Sequence, residues 1–148
     1  MGICDDPQIR EAQEEVCNDK SDINWMLLTF ADSKGSALTV SQKGSGGIDE
    51  LKQHLKDDEA AFGYLRTTMS NDEHSQRTKF VLVSWIGKNV NYMRRARLGM
   101  QKSDVTKVLK YFSIDIPAED PDDLNAEDIL VRLRKAGGAN YDRQASNY

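Results

Sequence analysis

The sequence predicts a single α/β (α+β) domain, with a mixed central sheet of about five to six strands and helices on both faces. Three observations carry this prediction. The chain has 148 residues, a length that suits one hydrophobic core. Apolar residues recur at helical spacing in some segments and form short strand-like runs in others. These segments follow the order helix, two strands, helix, two strands, helix, strand, helix, without a repeat or a linker.

The first half of the chain supplies two helices and three strands in this prediction. Helical spacing of apolar residues marks the helices, and short apolar or alternating runs mark the strands. A turn containing glycine joins the first two strands. In chain order the elements are a helix from Pro7 to about Asn18, a strand Trp25–Phe30, a turn Asp32–Gly35, a strand Ala37–Gln42, a helix Ile48–Leu55 and a strand Ala60–Met69.

The second half begins with the most hydrophobic run of the chain, Lys79–Ile86, whose β-branched and aromatic content predicts a central strand. A long helical pattern follows from Val90 to Phe112. Gly99 interrupts it and Ser103 resembles a new N-cap, so we expect a kinked helix or two stacked segments. A short strand Ser113–Pro117 and a last helix Asn125–Ala136 complete the domain.

Gly137 and Gly138 are predicted to cap the last helix, which puts the domain at residues 1–138 and a loose tail at 139–148. Core positions are predicted from the apolar residues of each element. Trp25 and Trp85 lie in apolar strand patterns, so core packing is expected for both. In the long helix the residues expected to face the core are Val90, Met93, Val105, Val108, Leu109 and Phe112.

Charge is distributed unevenly along the chain. Between His74 and Phe112 there are nine basic residues and one acid, Asp104, a balance of +8. Because the whole chain carries −4, the remainder carries −12. Scattered charge usually means only a solvated surface, but an imbalance this large in one stretch indicates a positive face directed at an acidic partner. The negative total does not favour nucleic-acid binding.

Nothing in the sequence nominates a catalytic or metal site. His54 and His74 have no second ligand at metal-binding spacing, and His54, on a helix beside Lys52 and Lys56, is expected to face solvent. The Gly44–Gly47 loop lacks the Lys-Ser/Thr of a phosphate-binding loop. The acidic run 119–123 contains a proline and no glycine, which favours a surface loop before a helix over a calcium loop. No cofactor or metal is therefore expected.

The two cysteines, Cys4 and Cys17, are too far apart for a CxxC pair and too few for a typical secreted scaffold. Cys17 is expected to be a buried apolar position of the first helix. The first six residues lack the features of a secretory signal, and no apolar run is long enough to span a bilayer. We expect a cytoplasmic protein that does not insert into membranes.

Several motifs together resemble the coactosins of the actin-depolymerising-factor homology family. The run from Lys79 to Gly87 (KFVLVSWIG), followed by a basic helix, is similar to the central strand and long helix of that family. The segment from Lys135 to Asp142 (KAGGANYD) is close to a family signature, and Phe62 to Arg66 (FGYLR) is similar as well. The resemblance covers essentially the whole chain.

This resemblance implies a sheet between two pairs of helices, and filament binding without catalysis, cofactor or metal. It implies that the lysine opening the central strand, Lys79, contacts the filament, together with the basic long helix. The expected actin-binding residues are Lys79, Arg77, Arg94, Arg95, Arg97, Lys102 and Lys107. Some relatives carry a lysine directly after the valine, whereas this chain has Val105-Thr106-Lys107. Either Lys107 substitutes from a neighbouring angle or that contact is absent. It also lacks the serine after Met1 through which cofilins are switched.

The leading hypothesis is a monomeric protein of the cytoplasmic actin cytoskeleton that binds the side of filamentous actin without severing it. A cofilin-like severing factor is the alternative within the same fold. A small enzyme with a basic cleft for a phosphorylated substrate or anionic lipid, and a scaffold that binds a protein through its tail or sheet edge, are alternatives from other classes.

Overall fold

The computed structural model describes residues 6–18, 20–31, 37–70 and 76–147, with residues 69, 70, 76, 77 and 137–147 described by their backbone alone. Within these ranges helices and strands alternate as the sequence predicts. The elements are α1 (Pro7–Cys17), β1 (Trp25–Phe30), β2 (Leu38–Gly44), α2 (Gly47–Leu51) with a 3₁₀ turn (Lys52–His54), β3 (Ala60–Ser70), β4 (Gln76–Ile86), α3 (Tyr92–Val108), β5 (Ile114–Ala118), a second 3₁₀ turn (Pro121–Leu124) and α4 (Ala126–Asn147).

The five strands form one mixed sheet in the order β2-β1-β3-β4-β5. The first four pair antiparallel with their neighbours, and β5 pairs parallel to β4 after the chain has crossed over through α3. A parallel neighbour needs such a crossover, and a helix of 17 residues supplies it. The predicted mixed sheet of about five to six strands is confirmed.

Each face of the sheet is covered by one pair of helices, as predicted. Helices α1 and α3 cover one face, where Ile9, Val16, Leu98 and Val105 pack in one buried cluster. Helices α2 and α4 cover the other face. The cluster there includes Leu51, Ile129 and Leu133 from the helices, and Trp25, Val81, Val83 and Trp85 from the strands.

Strand β1 illustrates why its sequence is apolar without interruption. Trp25 and Leu27 point into the α2/α4 cluster, whereas Met26 and Leu28 point into the α1/α3 cluster. A strand buried on both faces shows no polar alternation. Trp25 and Trp85 are fully buried, as predicted, and the indole of Trp85 donates a 2.8 Å hydrogen bond to the carbonyl of Lys56.

Helix α1 is held at both ends by polar groups. Asp6 accepts a hydrogen bond from the amide of Gln8, and Pro7 occupies the first turn, where a missing N–H does no harm. At the other end the guanidinium of Arg66 donates to the carbonyls of Val16, Asn18 and Ser21. A cation at a helix C-terminus is favourable, and this one ties α1 to β3.

Cys17 and His54 are both half-buried, whereas Cys17 was expected to be buried and His54 to face solvent. The thiol of Cys17 lies 3.6 Å from the hydroxyl of Tyr64, which donates to the carbonyl of Tyr111 at 2.6 Å. Burial, aided by Cys17, raises the pKa of Tyr64 above its usual range. The ring of His54, expected to face solvent, lies 5.4 Å from that of Trp25.

The long helix is one uninterrupted element, so the prediction of two stacked segments is wrong. Its N-cap is Asn91, whose side chain accepts from the amide of Arg94 at 2.8 Å. Ser103 does not begin a new helix, because its hydroxyl donates to the carbonyl of Met100 within the same helix at 2.9 Å. Packing of Leu98 and Val105 against the sheet holds the helix together through Gly99.

The glycine cap predicted for the last helix is wrong as well, since α4 continues through Gly137 and Gly138 to Asn147. Glycine permits a left-handed cap but does not require one. The loose tail at 139–148 stays a prediction. Strand β4 begins at Gln76, three residues before the predicted start, because its pairing with β3 continues beyond the hydrophobic run. The whole of the turn predicted at 32–35 lies outside the described residues.

Candidate functional site

Strands β3 and β4 extend beyond the rest of the sheet as a two-stranded ribbon. They pair with each other from Ala60 to Ser70 and from Gln76 to Ile86. Strand β1 covers β3 only as far as Leu65, and β5 covers β4 only from Val81 onward. Residues 67–70 and 76–79 therefore project from the sheet. This ribbon carries two of the predicted binding residues, Arg77 and Lys79.

Lys79 lies at the base of the ribbon opposite Thr67 and is half-buried. Because side chains alternate along a strand, it shares the face of Val81 and Val83, which pack on the α2/α4 side of the sheet. Among the described residues, none forms a hydrogen bond or ion pair with its amine. The amine is thus available to a partner. The backbone of Arg77 pairs with Met69, and its side chain lies outside the description.

Helix α3 presents an apolar surface to solvent. Tyr92, Met93 and Met100 are 86%, 82% and 78% exposed, whereas Leu98 and Val105 are buried against the sheet. At 100° per residue these three exposed side chains all lie on the side away from Leu98. We call this surface the α3 outer face; it consists of Tyr92, Met93, Ala96, Arg97, Gly99, Met100, Ser103 and Lys107.

The prediction that Met93 faces the core is wrong, and Tyr92 and Met100 were not predicted as site residues at all. The spacing of Leu98, Gln101 and Val105 could have revealed both errors, because it defines a buried stripe that excludes Met93. An apolar residue in a helix need not face the core. The side on which it lies follows from its angular position relative to the buried residues of the same helix.

Arg95 points inward, although it was predicted to contact a partner. Its guanidinium donates to the carbonyls of Val90, Gly87 and Lys88 at 3.0, 2.9 and 3.1 Å. It also lies 3.8 Å from the carboxylate of Glu119. These contacts organise the loop between β4 and the start of α3, so most of the donor capacity of Arg95 is used within the protein.

Lys102 is likewise engaged within the fold, through an ion pair with Asp115 of β5. Arg94 is half-buried, with its guanidinium carbon 4.3 Å above the ring of Phe30. It also lines a cleft with Asp58 and Glu59. The structure therefore places Arg94, Arg95 and Lys102 on the flanks of α3 rather than on its outer face.

Arg97 and Lys107 are the predicted residues that lie on the outer face itself. Both are exposed. The amine of Lys107 is 3.9 Å from the carboxylate of Asp104, a surface pair one turn away along the helix. Arg97 also takes part in an interaction within the fold. Both side chains therefore share the exposed side of the helix with Tyr92, Met93 and Met100.

The basic segment does not form the single positive face that the charge count suggested. Lys79 and α3 lie on opposite sides of the sheet. Acidic residues of β5 and the following loop also neutralise part of the positive charge of the segment through ion pairs inside the protein. The amine of Lys88 binds the carboxylate of Asp120 at 2.6 Å. This bond raises the pKa of Lys88 and, with a bond from the amide of Asp122, lowers the pKa of Asp120.

No metal or catalytic constellation emerges from the part of the chain that the structure describes. No cluster of three or more His, Cys, Asp or Glu side chains there could hold a metal ion. Tyr64, Lys88 and Asp120, whose pKa values are displaced, line none of the described clefts. Among the described helices, none combines the length and apolarity that crossing a membrane requires.

Residues 2–134 match the family described as cofilin/tropomyosin-type actin-binding protein. The chain belongs to this family. Coactosin from Dictyostelium discoideum is 35% identical over 135 residues, which are 90% of each chain.

Solved structures of family members are similar in fold over nearly the whole length. The crystal structure of coactosin from Entamoeba histolytica superposes with a TM-score of 0.84 at 31% identity, covering 93% of this chain and 97% of that one. The solution structure of mouse coactosin, described as an actin filament binding protein, gives a TM-score of 0.74 at 32% identity. It covers 98% of this chain and 99% of the mouse chain.

Proposed function

We propose that the protein binds the side of filamentous actin as a monomer and acts by occupancy rather than by catalysis. The observation that carries this proposal is the α3 outer face in a chain of an actin-binding family. Exposed large apolar residues cost solvation free energy unless a partner covers them, and clusters of them mark interaction sites. Aromatic residues, methionine and arginine are the residue types enriched in protein interfaces.

The outer face has the composition of such an interface. Tyr92, Met93 and Met100 supply apolar contact area, and Arg97 and Lys107 supply positive charge beside it. Gly99 leaves open space between them, since a β-carbon placed there would meet no atom within 4 Å other than its chain neighbours and the adjoining helix backbone. A partner surface can therefore approach the helix backbone closely. The apolar centre supplies affinity, and the charges favour an acidic partner.

Lys79 is proposed as a second contact, on the opposite side of the sheet. A flat surface of one globular partner cannot readily reach both the outer face of α3 and the α2/α4 side of the ribbon. A filament offers adjacent subunits, and two contacts in different directions fit such a repeating partner better than an isolated monomer. This geometry supports filament-side binding and a location on the cytoplasmic actin cytoskeleton.

Cosedimentation with actin filaments tests the proposal. We expect the parent protein to pellet with filaments, and a Tyr92→Ala, Met100→Ala double variant to pellet poorly while melting normally, because both side chains are exposed. Lys43→Ala on the opposite edge strand β2 is a control that removes a surface lysine elsewhere. Absence of pelleting by the folded parent would contradict the proposal, and unchanged pelleting by the double variant would contradict the assigned face.

A cofilin-like severing activity is the second candidate, since the fold is shared. Imaging of single filaments separates the two, because severing shortens filaments and increases their number, whereas side binding alone leaves the length distribution unchanged. We expect no shortening.

A further inference from the structure

Met93 and Met100 differ sharply from Met26 in their environment. Met26 is fully buried in the sheet, whereas Met93 and Met100 are 82% and 78% exposed. The two exposed residues are seven positions apart, nearly two helical turns, so they lie on the same side of α3. Their thioether groups are accessible to small oxidants from solvent, and both belong to the surface assigned to filament binding.

A hydroperoxide oxidises an exposed thioether in one two-electron step. The sulfur lone pair attacks the terminal peroxide oxygen, the O–O bond breaks, and the leaving oxygen takes up a proton. With hydrogen peroxide the products are methionine sulfoxide and water. The sulfoxide is polar, and methionine sulfoxide reductases can return it to the thioether. Oxidation thus converts an apolar contact residue into a strongly hydrated one.

We propose that Met93 and Met100 form a reversible oxidation site that weakens filament binding; the proposal rests on the function proposed above. The site is suited to this role because its oxidation leaves the fold intact. A sulfoxide at an exposed position is hydrated in the free protein, so the cost arises when a partner must cover it. Oxidation of Met26 would instead place a polar group in the core and destabilise the domain.

The test treats the protein with hydrogen peroxide, then with dithiothreitol to reverse thiol oxidation, and locates sulfoxides by mass spectrometry. We expect sulfoxides at Met93 and Met100 and not at Met26, an unchanged melting temperature, and an affinity for filaments lowered by about tenfold or more. Treatment with methionine sulfoxide reductases should restore binding. A Met93→Leu, Met100→Leu variant keeps both cysteines but has no thioether at these two positions, so whatever its own affinity before treatment, peroxide should not lower that affinity further.

A second measurement does not depend on variants. Filaments in excess should slow oxidation of Met93 and Met100, because the bound partner covers them. Unchanged pelleting by parent protein carrying both sulfoxides would overturn the proposal. Equal loss of binding by the leucine variant after peroxide would also overturn it, since another group would then be responsible. Failure of untreated protein to pellet would instead contradict the proposed function itself.

Discussion

At the scale of single residues, charge alone does not distinguish a binding residue from a structural one. Arg95 and Arg97 are two positions apart in the same helix and were equal candidates in the sequence. The guanidinium of Arg95 donates to three backbone carbonyls of the loop before α3, whereas Arg97 lies exposed on the outer face. The difference follows from the helical rotation of 100° per residue, which turns the first toward β5 and the second toward solvent.

This contrast makes a prediction about Arg95→Ala. Removing the guanidinium takes the Arg95 donor away from the part-buried carbonyl of Val90 and leaves the carbonyl of Gly87 with only the amide of Val90. We therefore expect a loss of about 1–3 kcal/mol in the free energy of unfolding. Arg97→Ala is the matched control and should melt within about 0.5 kcal/mol of the parent. Denaturant unfolding measures both. Arg95→Ala with parental stability would show that the loop does not depend on these bonds.

The Lys79→Ala variant, in contrast, should keep its stability and lose affinity for filaments. No described residue binds the Lys79 amine, so stability should change by less than about 0.5 kcal/mol. If the amine forms a desolvated contact with an acidic group of the filament, its removal should cost binding free energy on the order of 2–5 kcal/mol. Cosedimentation alongside Lys43→Ala checks this. A Lys79→Ala variant that melts and pellets like the parent would refute the site while leaving the fold untouched.

At the scale of elements, α3 is the part of the protein whose two sides perform different tasks. One side packs Leu98 and Val105 into the core, and the other exposes Tyr92, Met93 and Met100. Gly99 lies on the exposed side, where it neither packs nor caps. The φ angle of Gly99 is not positive, unlike that of Gly47, so Gly99 does not adopt the left-handed conformation that favours glycine. Gly99 therefore weakens the helix without a compensating structural role.

Two substitutions compare a glycine that has open space around it with a glycine that is in close contact with a neighbouring backbone. Gly99→Ala should stabilise the protein by about 0.5–1 kcal/mol, because alanine is the better helix former and its β-carbon has open space. Gly87→Ala should destabilise it by about 1–3 kcal/mol or more, because the new β-carbon would lie 2.1 Å from the carbonyl oxygen of Asp57. Thermal melts compare them. A lower melting temperature for Gly99→Ala would contradict its placement on the exposed side.

Sequence patterns predicted the elements well but not all of their ends. The apolar run of β1 predicted a strand, and that of β4 predicted a central strand. The ends were missed where backbone pairing or helical hydrogen bonding continues through residues without an apolar signal, as at Gln76 and Gly137. Gly99 and Ser103 carry local signals for a break that tertiary packing of Leu98 and Val105 overrides.

At the scale of the whole molecule, the basic residues are less concentrated on one face than their grouping in the sequence suggested. Lys88, Arg95 and Lys102 each face an acid of the segment 115–120 that follows in sequence. Arg97, Lys107 and Lys110 remain exposed on or after α3, and Lys79 lies on the other side of the sheet. The positive charge available to a partner is therefore smaller and divided between two directions.

Filament binding should weaken as salt rises, because exposed charges are screened over about 8 Å at physiological ionic strength. The dependence should be shallower than nine basic residues would give, since several are paired internally and the α3 outer face contributes apolar contacts that salt does not screen. Cosedimentation over a salt series measures it. A constant pelleted fraction from low to high salt would show that the charges of Lys79, Arg97 and Lys107 do not contribute.

Deletion of residues 140–148 should leave the melting temperature unchanged. Among the α4 residues whose side chains the structure describes, those that belong to the core cluster or pack against it are Ala126, Ile129, Leu130 and Leu133, all of which precede the deletion. A chain ending at Ala139 keeps these contacts and loses the last turns of the helix. A large fall in melting temperature would show that Tyr141 or another residue of the tail stabilises the domain.

The sequence by itself determined the fold class, the central strands and the family resemblance, because burial on both faces of a sheet forces long apolar runs that are visible in one dimension. It also identified the segment that carries the candidate site. Only the tertiary structure decided which side chains of that segment face a partner. The exposure of Met93 and the internal bonds of Arg95 depend on helical phase. The separation of Lys79 from α3 across the sheet depends on strand alternation, and acids contributed by β5 pair with basic residues of α3. Those relations arise between elements, and residue order alone does not contain them.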